Sequence, residues 1–324
     1  MRSSDGLAGA DAAAAGIPVV CGPTAAGKSA IAMCLARRHD VVVISADSRQ
    51  VYRRFDIGTG KPDVAERARI PHRGIDVVDP VERYSAAAWS EMAQAAIAEA
   101  RAVGRVPLVV GGTGFYISAL FRPLWEEPRL DPAARAAVQA GLAELSTDEL
   151  RRWCRALDPP RAELGRAQLL RTLEIALLTG SRLSDHHRTG ARRARYTGCY
   201  LVVDPGIALP SQIATRARAM LAAGWEAEVR TLMQEVPETA PAWNATGYRV
   251  IRQLAGGGIA AAAALERVTI ETRQFAKRQR TWFRHQLDDN RTERLTPDAP
   301  GWEETVERWF SAAAAAWRAA EPES

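Results

Sequence analysis

The sequence is poor in residues that build disulfide or zinc frameworks. Its four cysteines, Cys21, Cys34, Cys154 and Cys199, lie far apart with no Cys-x-x-Cys, and its five histidines stand at 39, 72, 186, 187 and 285. That spacing argues against both a structural zinc site and a disulfide-held fold. No apolar run approaches the roughly 20 residues of a membrane span. The first 16 residues, MRSSDGLAGADAAAAG, lack the compact apolar stretch of a secretory signal and read as a flexible N-terminal tail. The expectation is a cytoplasmic protein with no membrane partner, a monomer by default. Methionines are few and scattered, and no internal repeat is visible.

What is present is an ordinary globular composition, 47% apolar and 25% charged over 324 residues, long enough for one large domain with an insertion or for two domains. The net charge of +5 is unevenly spread. Residues 182–195 hold five Arg against Asp185, and residues 267–284 hold six Lys or Arg against Glu271. The remainder is slightly acidic, so two local basic patches point to a polyanionic partner.

Residues 21–32, CGPTAAGKSAIA, contain Gly-x-x-x-x-Gly-Lys-Ser from Gly22 to Ser29. In such a loop the backbone N–H groups cradle a phosphate, Lys28 reaches outer oxygens and the Ser29 hydroxyl is placed to ligate Mg²⁺. IPVVCG before the loop reads as a strand and Lys28–Arg38 after it as a helix. VVVISAD (41–47), VPLVVGG (106–112) and YLVVD (200–204) read as further strands alternating with helices. The fold class is therefore α/β, a P-loop parallel sheet flanked by helices, with ligands expected at the carboxyl ends of the strands. Gly22, Asp47 and Thr113 fall there.

From about Trp125 the pattern turns helical, with Asp131-Pro132 as a helix start, Ser146 with Glu149 as a capping box and Gly180 as a stop. Residues 125–195 read as an inserted all-helical subdomain, and 17–124 with 196–324 as the catalytic core, ending in helices that include a long one over about 260–288.

A nucleotide kinase supplies an Asp for Mg²⁺ after a buried strand, whereas 106–112 runs into Thr113. Asp47 is the acidic group nearest the loop, as a general base, an outer ligand of Mg²⁺ or a helix cap. On a helix Arg273, Lys277, Arg280 and Arg284 align as one basic stripe, opposite Phe275 and Trp282. Four aligned cations with no acid beside them in the segment suit nucleic acid or pyrophosphate. The patch at 182–195, with adjacent His186 and His187, reads as a solvated, mobile basic segment.

Together GPTAAGKS, ISADSRQVYRRFDIGTGKP (44–62), PHRGIDVVDP (71–80), PLVVGGTGFY (107–116), GWEAEVRTL (224–232), TGYR (246–249) and TRQFAKRQRTWFR (272–284) resemble the tRNA dimethylallyltransferases, also called tRNA isopentenyltransferases, over roughly residues 17–290. The resemblance implies transfer of a dimethylallyl group from its diphosphate to N6 of the adenosine 3′-adjacent to the anticodon, in tRNAs reading codons that begin with U. The phosphate loop would then hold an isoprenoid diphosphate, and the partners would be that substrate and a tRNA anticodon stem-loop.

By the same resemblance, Gly22, Pro23, Thr24, Ala25, Ala26, Gly27, Lys28 and Ser29 bind the diphosphate with Mg²⁺ on Ser29. Asp47 is the base, and Lys28, Thr113 and Arg216 complete the catalytic set. The implied tRNA contacts are Asp47, Ser48, Arg49, Gln50, Thr113, Arg135, Ala167, Gln168, Leu169, Leu170, Arg171, Asn244, Gly247, Tyr248, Arg249, Lys277, Arg278, Gln279, Arg280, Trp282 and Arg284. The chain departs from the family's Asn-Asp-x-x-Arg pattern, with Leu164, Gly165 and Gln168 at those positions, so Arg166 or Arg171 would have to supply that arginine's contact.

Three other readings stand beside this one. An adenylate isopentenyltransferase shares the loop and the Asp but prenylates a free nucleotide. A nucleotide kinase or nucleotide-binding regulatory module would transfer or sense phosphate, and an RNA-binding protein with a vestigial loop would not need Lys28.

Overall fold

The apolar, β-branched run ahead of the phosphate loop forms β1 (Ala15–Cys21), and α1 (Lys28–Arg38) follows the loop. This computed structural model describes residues 15–122, 130–189, 195–297 and 299–320. Next come β2 (Val41–Ser45), α2 (Val64–Arg69), β3 (His72–Arg73), α3 (Ala86–Ala102), β4 (Val106–Gly111) and α4 (Gly114–Phe121). A second compact unit, residues 122–193, contains α5 (Pro132–Ala143), α6 (Thr147–Leu157), α7 (Arg166–Thr179) and α8 (Leu183–Thr189). The first unit then resumes with β5 (Tyr196–Val203), α9 (Leu209–Ala222), α10 (Trp225–Glu235), α11 (Tyr248–Ala255), α12 (Ala261–His285), β6 (Thr292–Leu295) and α13 (Trp302–Ala319).

All six strands pair in parallel in the order β3-β2-β4-β1-β5-β6. Every residue of β2 and β4 is buried, because helices cover both faces of a parallel sheet and leave no alternation in the sequence. Register sets the working edge. Val20, Val110 and Ser45 share one rung, so Pro23, Thr113 and Asp47, two or three residues on, emerge together at the carboxyl ends.

The structure corrects several expectations. Ala15 and Gly16 belong to β1, pairing with Tyr196 and Thr197, while residues 1–14 of the expected tail lie outside the described residues. The sheet gains β3 and β6, which were not expected. The Ala-rich end forms α13, whose Val306, Trp309, Phe310, Ala313, Ala314 and Trp317 are buried and which packs on β1. It is fastened by Arg38 on Glu303 at 3.0 Å, His39 on Glu307 at 2.6 Å and the Arg101 guanidinium 3.8 Å over the Trp317 ring.

In the second unit Asp131 caps α5 through Ala134 N–H with Pro132 at the first turn, Ser146 and Glu149 form a capping box, and Gly180 ends α7 in the left-handed region. Leu142, Leu150, Cys154, Ala162, Leu169 and Leu173 make its core. The expected boundary near Trp125 and residues 190–194 of the basic segment lie outside the described residues. Residues 183–189 form a helix with Leu183 buried, not a mobile segment.

Candidate active site

The loop from Gly22 to Gly27 turns on three left-handed residues, Gly22, Ala25 and Gly27. At Gly22 a side chain is excluded twice, by a φ of +142° and by the Val203 carbonyl, which would lie 2.2 Å from a Cβ. Helix α1 starts at Lys28 with no side-chain cap, so its first-turn N–H groups have no intrahelical partner and form an anion nest. Lys28 Nζ folds back to donate to the Pro23 carbonyl at 2.6 Å. Burial and the neighbouring Arg216 push the Lys28 amine down to about 8, against the pull of Asp47. Burial also lowers the Arg216 guanidinium, again opposed by Asp47. Cys21, behind the loop, is pushed up to about 12 by burial, which removes it as a nucleophile.

Ser29 is exposed, and its hydroxyl has no protein partner among the described residues. No cluster of three or more His, Cys, Asp or Glu suited to a metal occurs among them. A lone hydroxyl beside an anion nest fits Mg²⁺, which keeps several waters and takes its remaining oxygens from a substrate's phosphates.

Asp47 follows β2 in a tight side-chain turn, Oδ1 accepting from Arg49 N–H at 2.8 Å. Its Oδ2 has no protein partner among the described residues. Thr113 holds this corner from β4. Its Oγ1 accepts from Ser48 N–H at 3.0 Å, and its own N–H donates to the Ala46 carbonyl at 3.0 Å. Gln50 accepts from Ser45 Oγ at 2.8 Å and donates to the Gly60 carbonyl at 3.1 Å. Gly60 in turn seats Arg216, because a Cβ there would lie 2.1 Å from the guanidinium Nη2.

Asp47 and Arg216 line one cavity together with the polar Thr24, Arg49 and Thr59 and the apolar Ile213, Ala217, Met220, Trp225, Val268 and Phe275. Two cations, a carboxylate with one free oxygen and an apolar pocket suit a small apolar group carried on a diphosphate. Trp225 is 1% exposed with its indole N–H unpartnered. The sequence reading missed Gly60 and Trp225, although both lie in its quoted stretches.

The expected RNA contacts divide. Arg273, Lys277 and Arg284 are exposed on α12 with no protein partner among the described residues, and Arg278 and Ala167 are exposed too. Asn244 and Arg249 are exposed and bonded to each other at 2.5 Å. Arg280 is held within the protein. It forks onto Asp204 with a 2.8 Å bond from Nε and donates to the Gly206 carbonyl at 2.9 Å, which raises its own pKa. The stripe thus has an acidic partner, supplied by the end of β5.

Leu169 and Tyr248, both 0% exposed, are held within the protein too. Leu169 fills the core of the second unit, and Tyr248 donates to Glu228 at 2.7 Å. Gly247, also buried, lies against Trp225, whose ring would be 2.5 Å from a Cβ. Trp282 packs on Gly114, its ring 2.3 Å from where a Cβ would sit.

In the second unit Arg135 and Arg171 both bind the buried Glu174, at 2.5 and 3.0 Å. Gln168 caps Gly165 N–H and Leu170 packs against the core. Arg166 donates to the Leu145 and Ala143 carbonyls at 2.6 and 2.9 Å. It secures the end of α5.

The family model described as IPP transferase matches residues 50–286, and one described as Isopentenyl transferase matches residues 15–72. The tRNA dimethylallyltransferase of Deinococcus radiodurans is 40% identical, covering 87% of this chain and 93% of that protein. That of Halorhodospira halophila is 42% identical, covering 84% and 91%. The crystal structure of a tRNA isopentenylpyrophosphate transferase from Bacillus halodurans superposes with a TM-score of 0.66 at 28% identity, over 93% of this chain and 97% of that one. With the match running through both the phosphate loop and α12, the chain belongs to the tRNA dimethylallyltransferase family.

Proposed function

We propose that the protein transfers a dimethylallyl group from dimethylallyl diphosphate to N6 of the adenosine 3′-adjacent to the anticodon of tRNA, in tRNAs reading codons that begin with U. The observation that carries this is one cavity lined by Asp47, Arg216 and apolar side chains, with Lys28 near enough to feel the charge of both.

The exocyclic amine of adenine is a weak nucleophile because its lone pair is delocalised into the ring. As the N–C bond forms, the C–O bond to the diphosphate breaks, and its electron pair leaves with the diphosphate. The amine proton passes to Asp47 Oδ2, while Oδ1 stays in its bond to Arg49 N–H. Negative charge grows on the departing oxygens, where Lys28, Arg216 and the N–H groups of the loop meet it. Ser29 would hold Mg²⁺ there, and the ion when bound neutralises charge on the diphosphate. An anticodon loop suits the site because a loop base leaves its stack at lower cost than a paired one.

The test is incubation with Mg²⁺, dimethylallyl diphosphate and unmodified tRNA, followed by nuclease digestion and mass analysis of nucleosides, with AMP as a parallel acceptor. Prenylated adenosine in the tRNA digest supports the proposal. Product on AMP alone overturns it in favour of a free-nucleotide prenyltransferase.

A further inference from the structure

Gln279 sits in the middle of the basic stretch of α12, where its neighbours in sequence face outward, yet it is only 7% exposed. Its side chain lies between two parts of the site. Oε1 accepts from Thr24 N–H in the phosphate loop at 2.8 Å, and Nε2 donates to the Gly112 carbonyl beyond β4 at 2.7 Å. The amide orientation is forced, since Thr24 N–H can only donate and the Gly112 carbonyl can only accept. Among neutral side chains of this length only an amide serves both ends. Gly112 is shaped for it, because a Cβ there would fall 2.4 Å from Nε2.

The contact extends on both sides. Gly112 precedes Thr113, which holds Ser48 and Ala46 and thereby the corner bearing Asp47. One turn along α12, Trp282 lies against Gly114. The bonds run unbroken from the phosphate loop through Gln279, Gly112 and Thr113 to the strand end that carries the base. Thr24 N–H is occupied by this bond, which leaves the N–H groups from Ala25 to Gly27 and the first turn of α1 as the backbone donor set for phosphate.

We infer that Gln279 is a positioning residue for prenyl transfer, pinning the phosphate loop to the Gly112–Thr113 turn so that the leaving diphosphate and Asp47 are held in one register, and that it is not an RNA contact. This rests on the function proposed above. It assigns the two faces of α12 separate work, the exposed cations outward to a polyanion and the buried amide inward to the diphosphate site.

The test is Gln279→Glu and Gln279→Met, with Gly112→Ala, whose Cβ would meet Nε2 at 2.4 Å and the Gly22 carbonyl at 3.2 Å, as a second disturbance of the same junction while α12 stays unchanged. Glu keeps the acceptor but loses the donor to Gly112, and Met loses both bonds. Each variant is checked by thermal melting, then assayed for tRNA Kd by filter binding and for single-turnover rate and KM with dimethylallyl diphosphate. The expected result is kcat/KM for the diphosphate lower by about 10- to 100-fold, the same direction in Gly112→Ala, and tRNA Kd unchanged. Weaker tRNA binding with unchanged diphosphate kinetics would make Gln279 an RNA contact and overturn the inference. So would wild-type kinetics in all three variants. A wild-type protein that makes no prenylated tRNA would instead remove the proposed function itself, so the two failures are distinct.

Discussion

Asp47→Asn isolates proton acceptance from structure. The Asx turn needs only an oxygen at Oδ1 to accept from Arg49 N–H at 2.8 Å, and asparagine supplies one. The Thr113 bond to Ser48 N–H also involves no atom of Asp47. What changes is Oδ2, replaced by an NH₂ group that takes up no proton, whereas alanine would also break the turn. A positioned base contributes about 10² to 10⁴ in rate, equivalent to ~2.7 to 5.4 kcal/mol of barrier. The expected outcome is a single-turnover rate lower by that factor, read with labelled dimethylallyl diphosphate at saturating tRNA. Melting temperature and tRNA Kd should be unchanged. A rate within about threefold of wild type would show that the proton leaves by another route and would refute the assignment.

Three further outcomes follow from the same geometry. Gly60→Ala places a Cβ 2.1 Å from Arg216 Nη2 at a φ of +63°. It should cost roughly 10²-fold in kcat/KM for the diphosphate, and wild-type kinetics would mean Arg216 is not seated by this turn. The Lys28 amine, held down to about 8, is neutral above that pH in the free protein, so KM for the diphosphate should rise as pH climbs past 8. The unfolded chain keeps that proton up to the ordinary lysine range, so the same group makes stability increase with pH above about 8; pH-dependent KM measurements and urea melts read the two effects separately. Lys277→Ala should reduce the salt slope of tRNA binding by about 1. Arg280→Ala, which strands Asp204, should instead lower the melting temperature with little change in slope, and equal slope losses would return Arg280 to the RNA.

Features written within a few residues were legible in the sequence. β1, the loop and α1 could be read because a buried strand, glycines at fixed offsets and a helix start are local signals. The caps at Asp131, Ser146 and Gly180 were legible for the same reason. β6 was not, since TERL is four residues long with one buried side chain, Leu295. α13 falls among the helices expected at the end of 196–324, but its buried face was hidden because its alanines suit many settings and only the sheet beneath selects that face. The Arg280–Asp204 pair was not legible because the partner lies 76 residues away, and a helical wheel shows which residues align, not what waits across from them.

The expected RNA contacts that turn out to bond within the protein share a feature. A motif found by resemblance marks residues needed together, but it does not say whether each meets the ligand or another motif. Here Gln50 binds the Gly60 carbonyl within its own stretch, Gln279 bridges two other stretches, and Tyr248 is bonded to Glu228 of another. Burial separates the two classes. An amide enclosed at 7% exposure with both ends bonded to the core is committed inward, whereas Lys277 and Arg284 are exposed and unpaired among the described residues. The exposed cationic face of α12 is therefore narrower than its sequence.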